Sequence, residues 1–340
     1  MRPSMFAVLI LLVLAQACTE TDDTPPVVEV SPSDVLVLNE GLFRRGNATI
    51  SGYDAGASTT LGTVYDPSSN AAGGLDILQS ATLLGDTIVL VANNSNALVL
   101  LQKDNLEEID RFEALGSPRY LTRMRNGQLL VTDLYANSLL VLDSDFSVAQ
   151  IIRHEGHAEA SIPFQDGALF VSPGRKSIFY YNALLGEVVD SLVVPFRANA
   201  ILGLDNDRIA VCGGILEQGE AGGLSIVNWG DKSVDLTLSF SESESSLYPR
   251  LAKSNNRLFC LQRDLLSLPL DDLIENRLEL VSLLRFADPY GLGVDPINND
   301  IYITDAKNGL SLGEVVRFDA AITAIDSFEV GVFPNGLIFR

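Results

Sequence analysis

Histidine is almost missing from this chain. His154 and His157 are the only two in 340 residues, and the three cysteines, Cys18, Cys212 and Cys260, form no C-x-x-C pair. That supply excludes a zinc site of the usual Cys/His spacing, and no metal ligand is assigned. Basic residues are scarce too: 23 Lys and Arg stand against 44 Asp and Glu, a formal charge of −21. Backbone phosphates repel such a surface, so no nucleic-acid partner is expected. Acidity of this kind serves solubility and names no partner. No apolar run approaches the roughly 20 residues of a membrane-spanning helix. No residue pattern calls for a cofactor.

What is present begins with a leader. Arg2, the nine-residue apolar run Phe6 to Leu14 and the small residues Ala15-Gln16-Ala17 read as a signal peptide over residues 1–17. Leu14-Ala15-Gln16-Ala17-Cys18 resembles a bacterial lipoprotein box, with Ala15 in the place usually held by Leu. Thr19-Glu20-Thr21-Asp22-Asp23 resembles the surface-export signal of Bacteroidota lipoproteins. These resemblances imply that Cys18 is lipidated and anchors the chain to a membrane. Residues 18–33, acidic and carrying Pro25, Pro26 and Pro32, then form a flexible tether. The implied location is the outer membrane, surface-exposed. A secreted or periplasmic protein cut after Ala17 is the alternative.

Residues 34–340 repeat. Aligning TIVLVAN, QLLVTDL, ALFVSPG and RIAVCGG and counting back to the polar residue that opens the preceding strand gives Gln79, Arg119, Glu159 and Asn199, each 40 residues apart. Arg250 and Tyr290 keep the interval. Two longer gaps, 51 residues to Arg250 and 45 to Asn335, hold glycine-rich insertions at Gly213–Gly223 and Gly309–Gly313. Repeats of about 40–50 residues with several short strands indicate a β-propeller. One repeat runs Arg119–Met124, Leu129–Thr132, Ser138–Asp143 and Val148–Arg153, with turn residues Asn126-Gly127 and Ser144–Phe146 between runs. The same order recurs in residues 77–116, 157–195, 197–241, 248–286 and 288–330, making six blades. Residues 34–65 carry strands two to four of a seventh, and Phe333–Phe339 reads as its missing first strand. The expected fold is all-β: a seven-bladed propeller of four-stranded blades, closed by the C-terminal strand.

Pro118-Arg119-Tyr120-Leu121, Val131-Thr132-Asp133 and Ser138–Asp143 are similar to the repeat of YVTN-type surface propellers. Asn39-Glu40-Gly41 followed by Asn47–Asp54 resembles the opening blade of Bacteroidota lipoproteins of that group. The resemblance implies the fold, not the ligand. One branch of the group captures corrinoids at the cell surface for a TonB-dependent transporter.

In a propeller the first strand of each blade lines the central channel. Gln79, Arg119, Glu159, Asn199, Arg250, Tyr290 and Asn335 therefore form a polar ring at one height. Ile77, Ser117, His157, Arg197, Tyr248, Asp288 and Phe333 lie two residues nearer the mouth. Arginines gather there in a chain short of them, beside aromatic rings, which suits a planar or anionic small molecule. The candidate ligand-binding residues are Gln79, Arg119, His157, Glu159, Arg197, Asn199, Tyr248, Arg250, Tyr290 and Asn335. Overhanging loops carry Phe43-Arg44-Arg45, Asp133-Leu134-Tyr135, Arg175-Lys176, Arg263-Asp264, Asp305-Ala306-Lys307, and Glu217, Gln218 and Glu220. Asp143-Ser144-Asp145 and Asp205-Asn206-Asp207 are read as turns rather than calcium fragments. Cys212 and Cys260 are read as free, buried thiols. No Ser-centred nucleophile elbow of the G-x-S-x-G type is read in the chain.

The expectation is a non-catalytic, surface-anchored monomer that binds a small molecule or partner protein at the channel mouth and aids a TonB-dependent transporter. A lactonase using Glu159, His157 and Arg119 is one alternative. A structural envelope protein, with the ring merely wet, is another.

Overall fold

The computed structural model describes residues 34–340 except 71–72, 114, 206, 215–220, 272 and 274–278. The signal peptide, Cys18, the tether, Asn206 and the loop residues Glu217, Gln218 and Glu220 lie outside the described residues.

Seven four-stranded antiparallel sheets are present. Blade one holds β1 (Asp34–Asn39), β2 (Thr49–Asp54) and β3 (Thr59–Tyr65), and blade two holds β4 (Leu78–Leu84), β5 (Thr87–Ala92), β6 (Ala97–Gln102) and β7 (Glu108–Phe112). Blade three runs β8 (Pro118–Arg123), β9 (Leu129–Asp133), β10 (Ser138–Leu142) and β11 (Val148–Arg153); blade four runs β12 (Ser161–Phe164), β13 (Gly167–Ser172), β14 (Ser177–Asn182) and β15 (Glu187–Val193). Blade five has β16 (Ala200–Gly203), β17 (Arg208–Gly213), β18 (Gly222–Asn228) and β19 (Ser233–Phe240). Blade six has β20 (Arg250–Lys253), β21 (Arg257–Leu261), β22 (Leu265–Pro269) and β23 (Glu279–Val281). Blade seven has β24 (Pro289–Val294), β25 (Ile301–Asp305), β26 (Gly313–Phe318) and β27 (Ala324–Val330). The last strand, β28 (Pro334–Phe339), pairs with β1 and supplies the inner strand of blade one, as the sequence predicts.

The core is made between blades. Side chains of a strand alternate between its two faces. Along β1, Leu36 and Leu38 pack with Ile88, Leu90, Val99 and Leu101 of blade two, while Val35 and Val37 pack with Tyr302, Val315 and Phe328 of blade seven. Five further apolar clusters fill the remaining blade-to-blade interfaces. The middle strands are accordingly apolar on both faces, as in β5 and β13, whereas the outer strands β11 and β15 are largely exposed. Hydroxyls tie neighbouring inner strands together: Ser80 Oγ donates to Arg119 O at 2.7 Å and Thr82 Oγ1 to Leu121 O at 2.8 Å. Cys212 and Cys260 are both buried and free.

His154, after β11, stands edge-on to Phe170 and Phe179 with ring centroids 4.9 and 4.7 Å away. Burial, helped by the Arg175 charge, lowers its pKa from 6.5 to about 4. The folded state therefore prefers the neutral ring. The stability it contributes is complete above pH 6.5 and is lost as pH falls toward 4. We expect a loss of about 3 kcal/mol across that window. His154→Phe should remove this slope in denaturant melts run from pH 7 to pH 4; an unchanged slope would assign the acid sensitivity elsewhere.

Candidate functional site

The inner strands do not run straight into the mouth. The β4–β5 register shifts between Leu78 and Ser80, β8–β9 between Pro118 and Leu121, and β24–β25 between Pro289 and Leu292. On β28 the shift falls between Pro334 and Gly336, opposite Asn39 and Leu38. Gln79, Arg119, Tyr290 and Asn335 thus all sit in β-bulges, which redirect side chains and are common next to functional sites. A bulge takes an amide off the ladder. Thr132 Oγ1 accepts from Tyr120 N at 3.1 Å, and Thr304 Oγ1 accepts from Gly291 N at 2.7 Å. This is the work of the Val131-Thr132-Asp133 pattern. Its aspartate also accepts from Ser117 N at 2.6 Å, and Asp305 plays the same part for Asp288 N at 2.8 Å. Asp133 and Asp305 hold loops.

The polar ring is knitted on one side. Arg119 donates from Nε to Glu159 Oε2 at 3.0 Å and from Nη1 to Gln79 Oε1. Burial opposes the Arg119 charge, but Glu159, Tyr120 and Glu40 together outweigh it and hold the guanidinium above its ordinary range. Next to Gln79, Asn335 Nδ2 donates to Glu40 Oε1 at 2.6 Å and also to the carbonyls of Leu78 and Gln79. The Tyr290 hydroxyl donates to Glu40 at 3.1 Å. Burial pushes the Glu40 carboxyl above the usual carboxylate range, against the pull of Asn335, Arg250, Tyr290 and Arg119.

Glu40 is the residue sequence reasoning passed over. Its amide donates to Phe333 O as that of Asn93 does to Ile77 O, so the two occupy matching places after the second strand of adjacent blades. The signal was there: matching residues are Asn93, Leu134 and Ala306, and Glu40 alone among these carries a charge.

The ring is open at blades five and six. The Arg250 side chain makes no hydrogen bond or ion pair among the described residues, and its guanidinium carbon lies 5.6 Å from the Tyr290 ring centroid. Asn199 Oδ1 is buried without a partner among the described residues. His157 is half-buried, its carbonyl accepting from Ser172 Oγ at 2.8 Å. Arg197 is half-buried in blade five.

A cavity of about 640 Å³ opens at the mouth, off the axis and over blades six, seven and one. Tyr248, Tyr290 and Phe333 form a row along it, with successive ring centroids 5.6 Å apart. Of the ten candidate residues, Tyr248 and Tyr290 line this cavity; the other eight do not. Its rim leaves large apolar groups in water: Phe43 is 60% exposed, Leu247 58% and Leu284 95%. Ile77 and Phe333, both lining it, hold left-handed backbone at φ 53°. For a β-branched residue such as Ile77 this is a strained conformation, of a kind that gathers at binding sites. Gly309 makes room for Phe333, since a Cβ there would stand 2.5 Å from its ring.

One sequence feature needs correcting. Gly309-Leu310-Ser311-Leu312-Gly313 spells G-x-S-x-G, although no nucleophilic serine was assigned. The segment is a loop between β25 and β26, not a strand-to-helix elbow, and Ser311 Oγ donates to Asn308 Oδ1 at 2.9 Å. No base faces that hydroxyl in these contacts, so the pattern carries no nucleophile. In the two Asp-rich segments the described aspartates accept from nearby backbone: Asp145 Oδ1 from Ser147 N at 3.0 Å, and Asp205 Oδ1 from Arg208 N at 2.9 Å.

No protein-family model matches the chain, and no curated protein matches it. Solved structures do. A Bacteroides fragilis protein described as a candidate 6-phosphogluconolactonase superposes with a TM-score of 0.67 at 16% identity, covering 91% of this chain and 98% of its own. A protein from Lactobacillus plantarum gives 0.67 at 12% identity, covering 91% and 99%. Virginiamycin B lyase from Staphylococcus aureus gives 0.58 at 12%, covering 80% and 92%. At these identities the likeness extends to the fold alone: the chain is a seven-bladed β-propeller.

Proposed function

We propose that this propeller is a binding protein without catalytic activity, and that its ligand is a small molecule with an apolar, planar body seated in the mouth cavity. The observation that carries this is the exposed apolar rim, Phe43, Leu247 and Leu284, beside the row Tyr248, Tyr290 and Phe333, whose rings meet edge-on and tilted. Apolar groups left in water around a concave site mark a binding surface. The test is thermal unfolding against corrinoids, sugar acids, siderophores and aromatic metabolites. A ligand at a hundredfold excess over its Kd adds about 2.7 kcal/mol, on the order of 5 °C in Tm. Tyr248→Ala should abolish the shift. Absence of any shift, with no partner co-purifying, would overturn the reading.

A lactone-hydrolysing use of Glu159 would need a carboxylate free to act, and here it is the counterion of Arg119. Turnover of a lactone panel abolished by Glu159→Gln would establish that alternative.

We further propose that Cys18 anchors the chain at the outer-membrane surface, where the propeller serves a TonB-dependent transporter. Cys18→Ser should move the protein from the membrane pellet to the soluble fraction; retention in the pellet would sink the lipoprotein assignment. Replacing Glu20, Asp22 and Asp23 by Ala should keep attachment while removing accessibility to added protease in intact cells.

A further inference from the structure

We infer that the ligand of this mouth carries a carboxylate and that Arg250 receives it. The inference rests on the reading of the mouth as a binding site and adds the charge of what binds there. Arg250 opens β20, and its guanidinium carbon lies 5.6 Å from the ring centroid of Tyr290, which lines the cavity. Its guanidinium bonds to no described residue, and its nitrogens are not among the polar atoms sealed without a partner. A partly buried cation with no hydrogen-bonded or ion-paired partner is costly to keep, and the carboxylate that acts on it at longer range, Glu40, is itself pushed by burial toward the neutral acid. The other arginine of the ring is already used: Arg119 is bound to Glu159 and Gln79. One open guanidinium offers two parallel donors to one carboxylate.

The competing possibility is a cation held among Tyr248, Tyr290 and Phe333, since Glu40, Asp264 and Asp288 also line the cavity. Two of those carboxylates, Glu40 and Asp264, are engaged. Glu40 accepts from Tyr290 and Asn335, and burial drives it toward the neutral acid. Asp264 Oδ1 accepts from Leu283 N at 2.8 Å. Asp288 is exposed, and partial burial and the neighbouring Asp305 charge raise its pKa against the pull of Arg263.

Three probes with one aromatic body separate the possibilities: 2-naphthoate, 2-naphthylmethanol and (2-naphthylmethyl)trimethylammonium, titrated calorimetrically into the full-length protein. The expected result is naphthoate binding tighter than the alcohol by roughly tenfold or more. Arg250→Gln should erase that preference while leaving alcohol binding unchanged and the melting temperature no lower than that of the parent, and Arg250→Lys should restore only part of the preference. Equal binding of naphthoate and the alcohol, or a preference surviving in Arg250→Gln, overturns the assignment of Arg250 and leaves the cavity reading standing. A preference for the ammonium probe overturns it in favour of the carboxylates. Failure of all three to bind overturns both.

Discussion

Removing residues 331–340 should leave a chain that no longer unfolds as one cooperative unit and that partitions into the insoluble fraction. The deletion takes away β28, whose Phe339, Ile338, Leu337, Gly336 and Pro334 stand opposite Val35, Leu36, Val37, Leu38 and Asn39. It also removes the carbonyls of Val332 and Phe333, which receive the Gly41 and Glu40 amides. Full burial of each large apolar side chain contributes about 1.5–3 kcal/mol. With Leu337, Ile338 and Phe339 gone and the ladder open, the loss rivals the ~5–15 kcal/mol that holds a typical domain together. The unpaired edge of β1 would then be free to recruit other chains. The seam between blades seven and one has other fastenings: Tyr53 stacks on Phe328 with centroids 4.0 Å apart, and its hydroxyl donates to Asp326 at 2.8 Å. These tie the middle and outer strands and give the inner one no substitute partner. A truncated protein that melts like the full chain would refute the closure.

The second large effect is expected at Arg119. This ion pair is almost out of water, with side-chain exposures of 13% for Arg119 and 9% for Glu159. Breaking such a pair by removing one member costs about 3–5 kcal/mol, because the other charge stays buried alone. Arg119→Ala and Glu159→Ala should each lower the denaturant midpoint by that equivalent with unchanged m. The paired replacement Arg119→Met with Glu159→Leu should recover most of it, since two well-packed apolar groups need no counterion. If the double variant is as unstable as the sum of the singles, the pair is not the source of the cost.

The blades were legible because their signals are local. Two-residue alternation, Asn-Gly turns and a fixed repeat length are written along the chain, and even the pairing of Phe333–Phe339 with the opening strands followed from counting. The mouth was legible only in outline. Counting placed Gln79, Arg119, Tyr290 and Asn335 at one height, and all four do stand in the bulges of inner strands. It could not say which arginine is neutralised, because the Arg119–Glu159 contact joins blades 40 residues apart. Nor could it place Glu40, which sits in a loop of blade one and meets side chains about 250 and 295 positions away. The cavity lies off the axis because connections of blades six and seven, such as Leu283–Pro289, build one wall. Such loops carry no periodic signal.

The pairing of Val35 with Phe339 has a geometric consequence for how the molecule would stand at a surface. Asn39 and Pro334, at the other ends of the same strands, are beside the mouth, so Asp34 and Phe339 lie on the opposite face. A chain fastened through Cys18 would hang from its base with the mouth facing outward. The fifteen residues from Thr19 to Ser33 can reach at most about 50 Å. A solute arriving from outside would meet the aromatic row first. Passing it to a channel in the same membrane would require the whole disc to capsize on its leash, bringing the loaded face down onto its neighbour.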